Sequence, residues 1–294
     1  MTYHLLLLLT TLLSYIPFCI LYPLSNGLFY LLYYVIQYRK KIVHQNLKES
    51  FPKKDDQEIK LIEKKFYRFF TDMILESIKM TSISPEEIAR RMKFINAEKV
   101  NASIRQGKSI SIYLGHFGNW EWIASMPLYL EKMGDKIIGA QIYHKLRNKN
   151  MDKLMLRNRE RMGSVCVEMK KTARFVNQLA IDHKVGVIGF IADQSPQKKD
   201  SIHFVPFLNH KTPVLTGTER IIKHYDYEAW FLHVKKIKRG YYEAEFIKMH
   251  ENPQSLPDFQ LTTIYFQLLE KEILSQPELY LWTHNRFKHA KKLD

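Results

Sequence analysis

Apolar and polar positions alternate on several different periods along this chain of 294 residues, and each period predicts a different element. Residues 5–24 are almost wholly apolar, and the first 38 residues hold no Lys, Arg, Asp or Glu. A run of this length matches the thickness of a bilayer core. Pro17 and Pro23 interrupt it. Pro17 predicts either a kinked helix or a break before a second helix over 27–38. No basic segment precedes the run and no small-x-small site closes it, so residues 1–38 read as an uncleaved membrane anchor rather than a signal peptide. A buried hairpin of a soluble core is the alternative, and the absence of charge weighs against it. The basic cluster "YRKK" at 38–41 marks the cytoplasmic side, with Tyr30, Tyr33, Tyr34 and Tyr38 fitting an interfacial belt.

From residue 39 to 107 the pattern is helical. Ile59, Ile62, Phe66, Phe69, Phe70, Met73 and Ile74 recur at steps that predict one amphipathic helix. Asp55, Asp56 and Glu58 lie in its first turn, where the helix dipole favours acids. "SPEE" at 84–87 supplies a Ser N-cap, a Pro at the first helical position and a Glu three residues after the cap, which starts a further short helix.

Beyond 108, short apolar runs alternate with amphipathic ones. Strands are predicted over 109–115, 136–143, 185–192, 228–237 and 241–249, the last two joined near Arg239 and Gly240. Helices are predicted over 117–130, 151–162, 172–183 and 261–274. This alternation predicts an α/β domain over 108–294, with a mixed, largely parallel sheet flanked by helices and a basic tail, "HNRFKHAKK".

Composition narrows the partners. With 46 % hydrophobic and 26 % charged residues the chain folds around a core. A formal net charge of +15 favours anionic partners: nucleic acid, an acidic membrane surface or an acidic carrier protein. No zinc-finger, RNP or KH signature supports nucleic acid. Cys19 and Cys166 form no CxxC pair, which leaves neither a disulfide framework nor a cysteine zinc site. His116, Glu121, His183, Asp193 and His203 are spread too widely for an HExxH-type metal site.

The densest candidate chemistry is "YLGHFGNWEWI" at 113–123. His116 follows a strand end, where sheets of this class gather ligands. Glu121, five residues on, is off the same-face helical spacing, but a turn lets it fold back beneath the imidazole. A carboxylate on one ring nitrogen fixes the tautomer and frees the other nitrogen as a base. In the alternative reading His116 caps a helix and Glu121 complements its dipole; spacing alone leaves both open. Asp193 and Gln194 end the strand "GVIGFIA", on the same sheet edge as His116, and read as acceptor-positioning residues or as an Asx turn before Pro196.

Several motifs in order carry a resemblance. They are the uncharged start, "YRKKIVHQNLKESFP" (38–52), "GHFGNWEW" (115–122), "YHKLRNKNMDKLMLRNRERMGS" (143–164), "IADQSP" (191–196), "FVPFLNHKTPVLTGTE" (204–219) and "PELYLWTHNRFK" (277–288). Together they resemble the lysophospholipid acyltransferase superfamily and, within it, the late (lauroyl/myristoyl) lipid A biosynthesis acyltransferases. The glycerolipid branch carries an "EGTR"-like phosphate motif; here only "TGTERI" stands at 216–221, which points to the lipid A branch.

The resemblance implies a glycerolipid-acyltransferase-like fold and a membrane-bound O-acyltransferase of the inner membrane, with its catalytic domain on the cytoplasmic face. It implies an acyl–acyl carrier protein as donor, no cofactor, no metal, and a lipid A precursor or another envelope lipid as acceptor. His116 would be the general base and Glu121 its orienting partner. The absence of a GxSxG elbow, and of a nucleophile context for either cysteine, agrees with direct attack and no acyl-enzyme. The backbone amides of Gly118 and Asn119 would face the oxyanion. Arg159, matched four residues before the Gly of "RERMG", would bind a phosphate or the developing charge, against the alternative of a solvated basic face beside Arg157 and Arg161. Arg286 and Lys288 would meet phosphates, unless they belong to a solvated tail. A non-catalytic membrane scaffold is the remaining reading, and the His116/Glu121 pair argues against it.

Overall fold

The computed structural model describes residues 2–132, 134–198 and 201–292. The N-terminal apolar run forms two helices, α1 (Tyr3–Ser14) and α2 (Phe18–Tyr30), separated at Pro17. Pro17 takes an extended conformation just outside α2, so the chain breaks there instead of kinking. The second helix starts at Phe18, well before 27, and runs on through a π turn at Leu31–Val35. Phe18–Val35 is long and apolar enough to cross a membrane, and only 22 % of it is buried against the rest of the protein. Leu5, Leu8, Leu9, Leu12 and Leu13 of α1 and Ile20, Leu24, Leu31 and Val35 of the second segment are exposed, apolar surface of the kind that meets lipid. The Lys79 ammonium donates to the carbonyls of Ser14 at 2.5 Å and Ile16 at 3.0 Å, closing the C-terminal end of α1.

Helix α3 (Lys40–Ser50) follows, then α4 (Asp56–Lys79), which opens on a capping box between Asp55 and Glu58. Its apolar stripe of Ile59, Ile62, Phe66, Phe69 and Met73 is buried, and α1 and α2 lie along it. Ser84 caps α5 (Pro85–Arg91) by accepting from the Glu87 amide. Residues 92–95, inside the stretch read as helical, instead form a strand, β1 (Met92–Ile95), before α6 (Ala97–Arg105).

The main sheet holds β1, β2 (Ile110–Leu114), β3 (Ile137–Tyr143), β4 (Val165–Glu168), β5 (Val185–Ile191), β8 (Glu228–Lys238) and β9 (Tyr241–Lys248), in the order β1-β9-β8-β2-β5-β3-β4. Only the β8–β9 hairpin is antiparallel, turning at Gly240 with φ +74°; the other neighbours run parallel. Every residue of β2 is buried, as expected of a central parallel strand covered on both faces. Helices α7 (Lys149–Glu160), α8 (Thr172–Ile181), α9 (Gly217–Tyr225) and α10 (Gln260–Ser275) flank the sheet.

A smaller antiparallel sheet joins β6 (His203–Phe207), β7 (His210–Val214) and the tail strand β10 (Lys291–Lys292). Its tight turn places Leu208 and Asn209 at positive φ. The predicted helix over 117–130 is a turn followed by a 3-10 segment, Trp122–Leu128. Pro127 lacks the amide that an α-helix needs there, and the Asn119 side chain takes the Trp122 amide.

Candidate active site

Strands β2 and β5 are parallel neighbours, with Leu114 opposite Ile191. Each runs two residues past its end to a polar side chain, so His116 and Asp193 emerge side by side on one sheet edge. His116 Nδ1 lies 2.7 Å from Asp193 Oδ1, and the His116 side chain is 16 % exposed while that of Asp193 is 3 %. Burial alone would push the Asp193 carboxyl up, but His116 and the Arg286 guanidinium hold it below the usual carboxylate range. An ionised carboxylate only accepts, so the Nδ1 proton belongs to the imidazole, and in the neutral ring Nε2 carries the lone pair. Gln194 Nε2 sits 3.2 Å from His116 Nε2 and donates to it in that tautomer.

Behind Asp193, Arg286 is 1 % exposed and donates through both Nη atoms to the Pro213 carbonyl, each at 3.1 Å. Arg286 is therefore an internal cation supporting the site. Lys288, two residues on, is exposed, so the two tail cations part company. Desolvation pushes His284 down to about 4, which keeps it neutral, and its Nε2 accepts from the Ser195 amide at 3.1 Å.

Glu121 does not share the histidine. Arg159 Nε and Nη2 donate to its two carboxylate oxygens at 2.9 and 2.6 Å, a bidentate clamp reaching from the last turn of α7. Burial disfavours the Arg159 charge, but Glu121 outweighs it and raises the guanidinium above its ordinary value. The carboxylate on the imidazole is thus Asp193, and the one expected there holds Arg159.

The turn between His116 and Glu121 is braced by the C-terminal segment. The Leu281 amide donates to the His116 carbonyl and the Gly118 amide to the Leu279 carbonyl, both at 3.0 Å. Gly118 has φ +61°, and a Cβ there would stand 2.5 Å from Val234 Cγ1. Its amide is consumed within the fold, which removes it as the oxyanion donor expected from the sequence. Asn119 is fully buried; its Oδ1 accepts from the Trp122 amide at 3.1 Å and its Nδ2 donates to Glu76 at 2.8 Å.

His116, Gln194 and Arg159 open together on a cleft of about 470 Å³, with Tyr143, Met155 and Leu156 among its walls. A narrower space of about 50 Å³, lined by Ile112, Leu114, Trp120, Ile123 and Met126, shares Ile142, Tyr143, Arg159 and Ile191 with it. A cleft of mixed polar and apolar walls that holds an imidazole and a clamped cation, beside an apolar slot with shared walls, suits an amphipathic substrate. A family model of bacterial lipid A biosynthesis acyltransferases matches residues 1–289.

The chain belongs to that family. It is also similar to the lipid A biosynthesis lauroyltransferase of Escherichia coli, 26 % identical over 278 residues, covering 93 % of this chain and 87 % of that protein. Membership makes the chain an acyltransferase of lipid A biosynthesis. For a lipid A biosynthesis acyltransferase, the chemistry of Cys166 is informative: burial pushes its thiol up to about 12, so at neutral pH it carries its proton and is a poor nucleophile. No group of three or more His, Cys, Asp or Glu side chains is placed to hold a metal among the described residues.

Two residues that the sequence reading passed over stand close to the site. His284 had no signal beyond its place in the basic tail. Glu76 had one: it continues the stripe of Phe66, Phe69 and Met73 and so occupies an apolar slot of α4 with a carboxyl group.

Proposed function

We propose that this enzyme is a membrane-bound O-acyltransferase that moves a fatty acyl chain from an acyl carrier protein thioester to a hydroxyl of a lipid A precursor, with His116 as general base. The observation that carries this reading is the His116 imidazole itself: Nδ1 bonded to buried Asp193 and Nε2 directed into the cleft that Arg159 also lines. The acceptor hydroxyl takes the place of the Gln194 amide and gives its proton to Nε2. Its oxygen attacks the thioester carbonyl carbon, forming a C–O bond and a tetrahedral oxyanion. Collapse breaks the C–S bond, and the departing thiolate recovers the proton from the imidazolium. No acyl-enzyme forms.

Asp193 is the carboxylate positioned to orient His116 and stabilise its protonated form. Glu121 serves the site indirectly, by fixing Arg159. With Nε and Nη2 committed to Glu121, Arg159 keeps Nη1 for a substrate phosphate or for the oxyanion. Gln194 positions the acceptor. The apolar walls of the cleft, Ile142, Met155 and Leu156 among them, suit the acyl chain. The exposed apolar surface of α1 and α2, followed by "YRKK", supports an inner-membrane location with the α/β domain on the cytoplasmic face. A net charge of +15 suits an acidic carrier protein as donor.

Mass spectrometry of envelope lipids from a deletion strain, complemented with the wild-type protein or with His116→Ala, tests the reading. Lipid A lacking one acyl chain, restored by wild type and not by His116→Ala, is the expected result. Unchanged lipid A with an altered amino-acid lipid or glycerolipid would move the enzyme to another acceptor.

A further inference from the structure

Glu76, near the end of α4, is wholly buried and stands at the centre of a hydrogen-bonded cluster. Its carboxyl accepts from Tyr22 Oη at 3.0 Å, Asn119 Nδ2 at 2.8 Å and Tyr242 Oη at 2.9 Å. Its backbone carbonyl accepts from the Trp122 indole at 2.9 Å. Burial, reinforced by Asp72, raises the Glu76 carboxyl above its ordinary value, so the fold bears a penalty to keep an acid here. An apolar residue continuing the α4 stripe would avoid that penalty but would leave three donors unpaired. The donors converge from three places: Tyr22 from α2, Tyr242 from β9, and Asn119 from the turn that carries His116 and Glu121.

The direction of the Asn119 amide is what the cluster controls. Its Oδ1 is committed to the Trp122 amide, so its Nδ2 must point at an acceptor, and Glu76 is that acceptor. We infer that Glu76 is a positioning residue for acyl transfer: by gripping Asn119 it sets the turn between His116 and Glu121, and through Tyr22 it ties that turn to the seat of α2. The inference rests on the proposed role of His116. Glu76 touches neither substrate nor reacting atoms; it acts through the geometry of the turn, where a displacement of about 1 Å lowers turnover about 10²-fold.

The test uses detergent-purified full-length protein, an acyl carrier protein thioester and a lipid A precursor. Glu76→Gln leaves one carbonyl oxygen where three donors converge and puts an amide donor in place of the other oxygen, and Asn119→Asp sets a second carboxyl against Glu76. Each single variant is expected to lower kcat about thirty-fold with acceptor KM held within about twofold. The double variant Glu76→Gln/Asn119→Asp restores one donor facing one acceptor and is expected to recover at least about tenfold of the loss. A merely structural role predicts a lower Tm with unchanged kcat per folded enzyme, and no recovery in the double variant; either finding overturns the inference. If a single variant fails to fold, Tyr242→Phe removes one hydroxyl from the same carboxyl and is expected to lower kcat about fivefold; parity with wild type then overturns it. His116→Ala, measured in parallel, separates the two ideas: transfer surviving there sinks the general-base reading, whereas the Glu76 series is judged on its own recovery.

Discussion

Two hydrogen-bonded pairs flank the same turn and behave differently. His116 with Asp193 is open at one end: one imidazole nitrogen is held, and the other faces the cleft. Glu121 with Arg159 is closed by two parallel hydrogen bonds. The first arrangement can move a proton; the second supplies a fixed cation and a rigid wall. The partners stand 77 and 38 positions away in the chain, so the His-x4-Glu spacing marks the segment and says nothing about who pairs with whom.

The largest expected effect separates the two pairs directly. His116→Ala should lower kcat about 10³-fold with little change in KM, the loss associated with a general base, in steady-state transfer assays. Asp193→Asn should lower kcat at least about 10²-fold, because the wrong imidazole tautomer then becomes available. Activity close to wild type in Asp193→Asn would return the orienting role to Glu121. This variant also has a pH signature. The native Asp193 carboxyl lies below its ordinary value, so its pairing contributes stability that is complete above the unfolded value and lost as pH falls through the lower native one. Acid-unfolding curves should show that dependence in wild type and not in Asp193→Asn.

The closed pair should register in stability as much as in rate. Glu121→Gln leaves the Arg159 guanidinium, 23 % exposed in its side chain, without its counter-charge. A loss of about 3 kcal/mol is expected in denaturant unfolding, since breaking a buried pair strands the remaining charge. If Glu121→Gln is as stable as wild type and yet inactive, its carboxylate takes part in the chemistry and the contrast between the pairs fails.

The smallest effect concerns His284, beside Asp193. Its native value of about 4 lies below the ordinary 6.5, so the unfolded chain binds the extra proton between those values. Stability should therefore fall as pH drops from 6.5 towards 4, and His284→Gln should remove part of that slope in thermal unfolding. An unchanged slope would show that His284 is not held neutral.

Much of the architecture was legible because single elements carry their own period. The α4 stripe, the apolar β2 and β5 and the β8–β9 hairpin each bury a face that their own residues define. The misses have local causes. Strand β1 follows α5 directly and is short. Pro206 and Pro213 demote β6 and β7, which tolerate proline as an irregular hairpin outside the main sheet. Over 122–128 the apolar residues match a helix, but Pro127 and the Asn119 cap settle the backbone as 3-10.

The sequence by itself determined the apolar N-terminal helices, the α/β alternation and the segments that gather at the site, because hydrophobic periodicity and turn residues act over a few neighbouring positions. Only the tertiary structure decided the pairings: Asp193 on His116, Arg159 on Glu121, Glu76 on Asn119, and Leu279 on the Gly118 amide. Hydrogen bonds of this kind depend on separations within about 3 Å, and the packing of strands and helices, not distance along the chain, sets those separations.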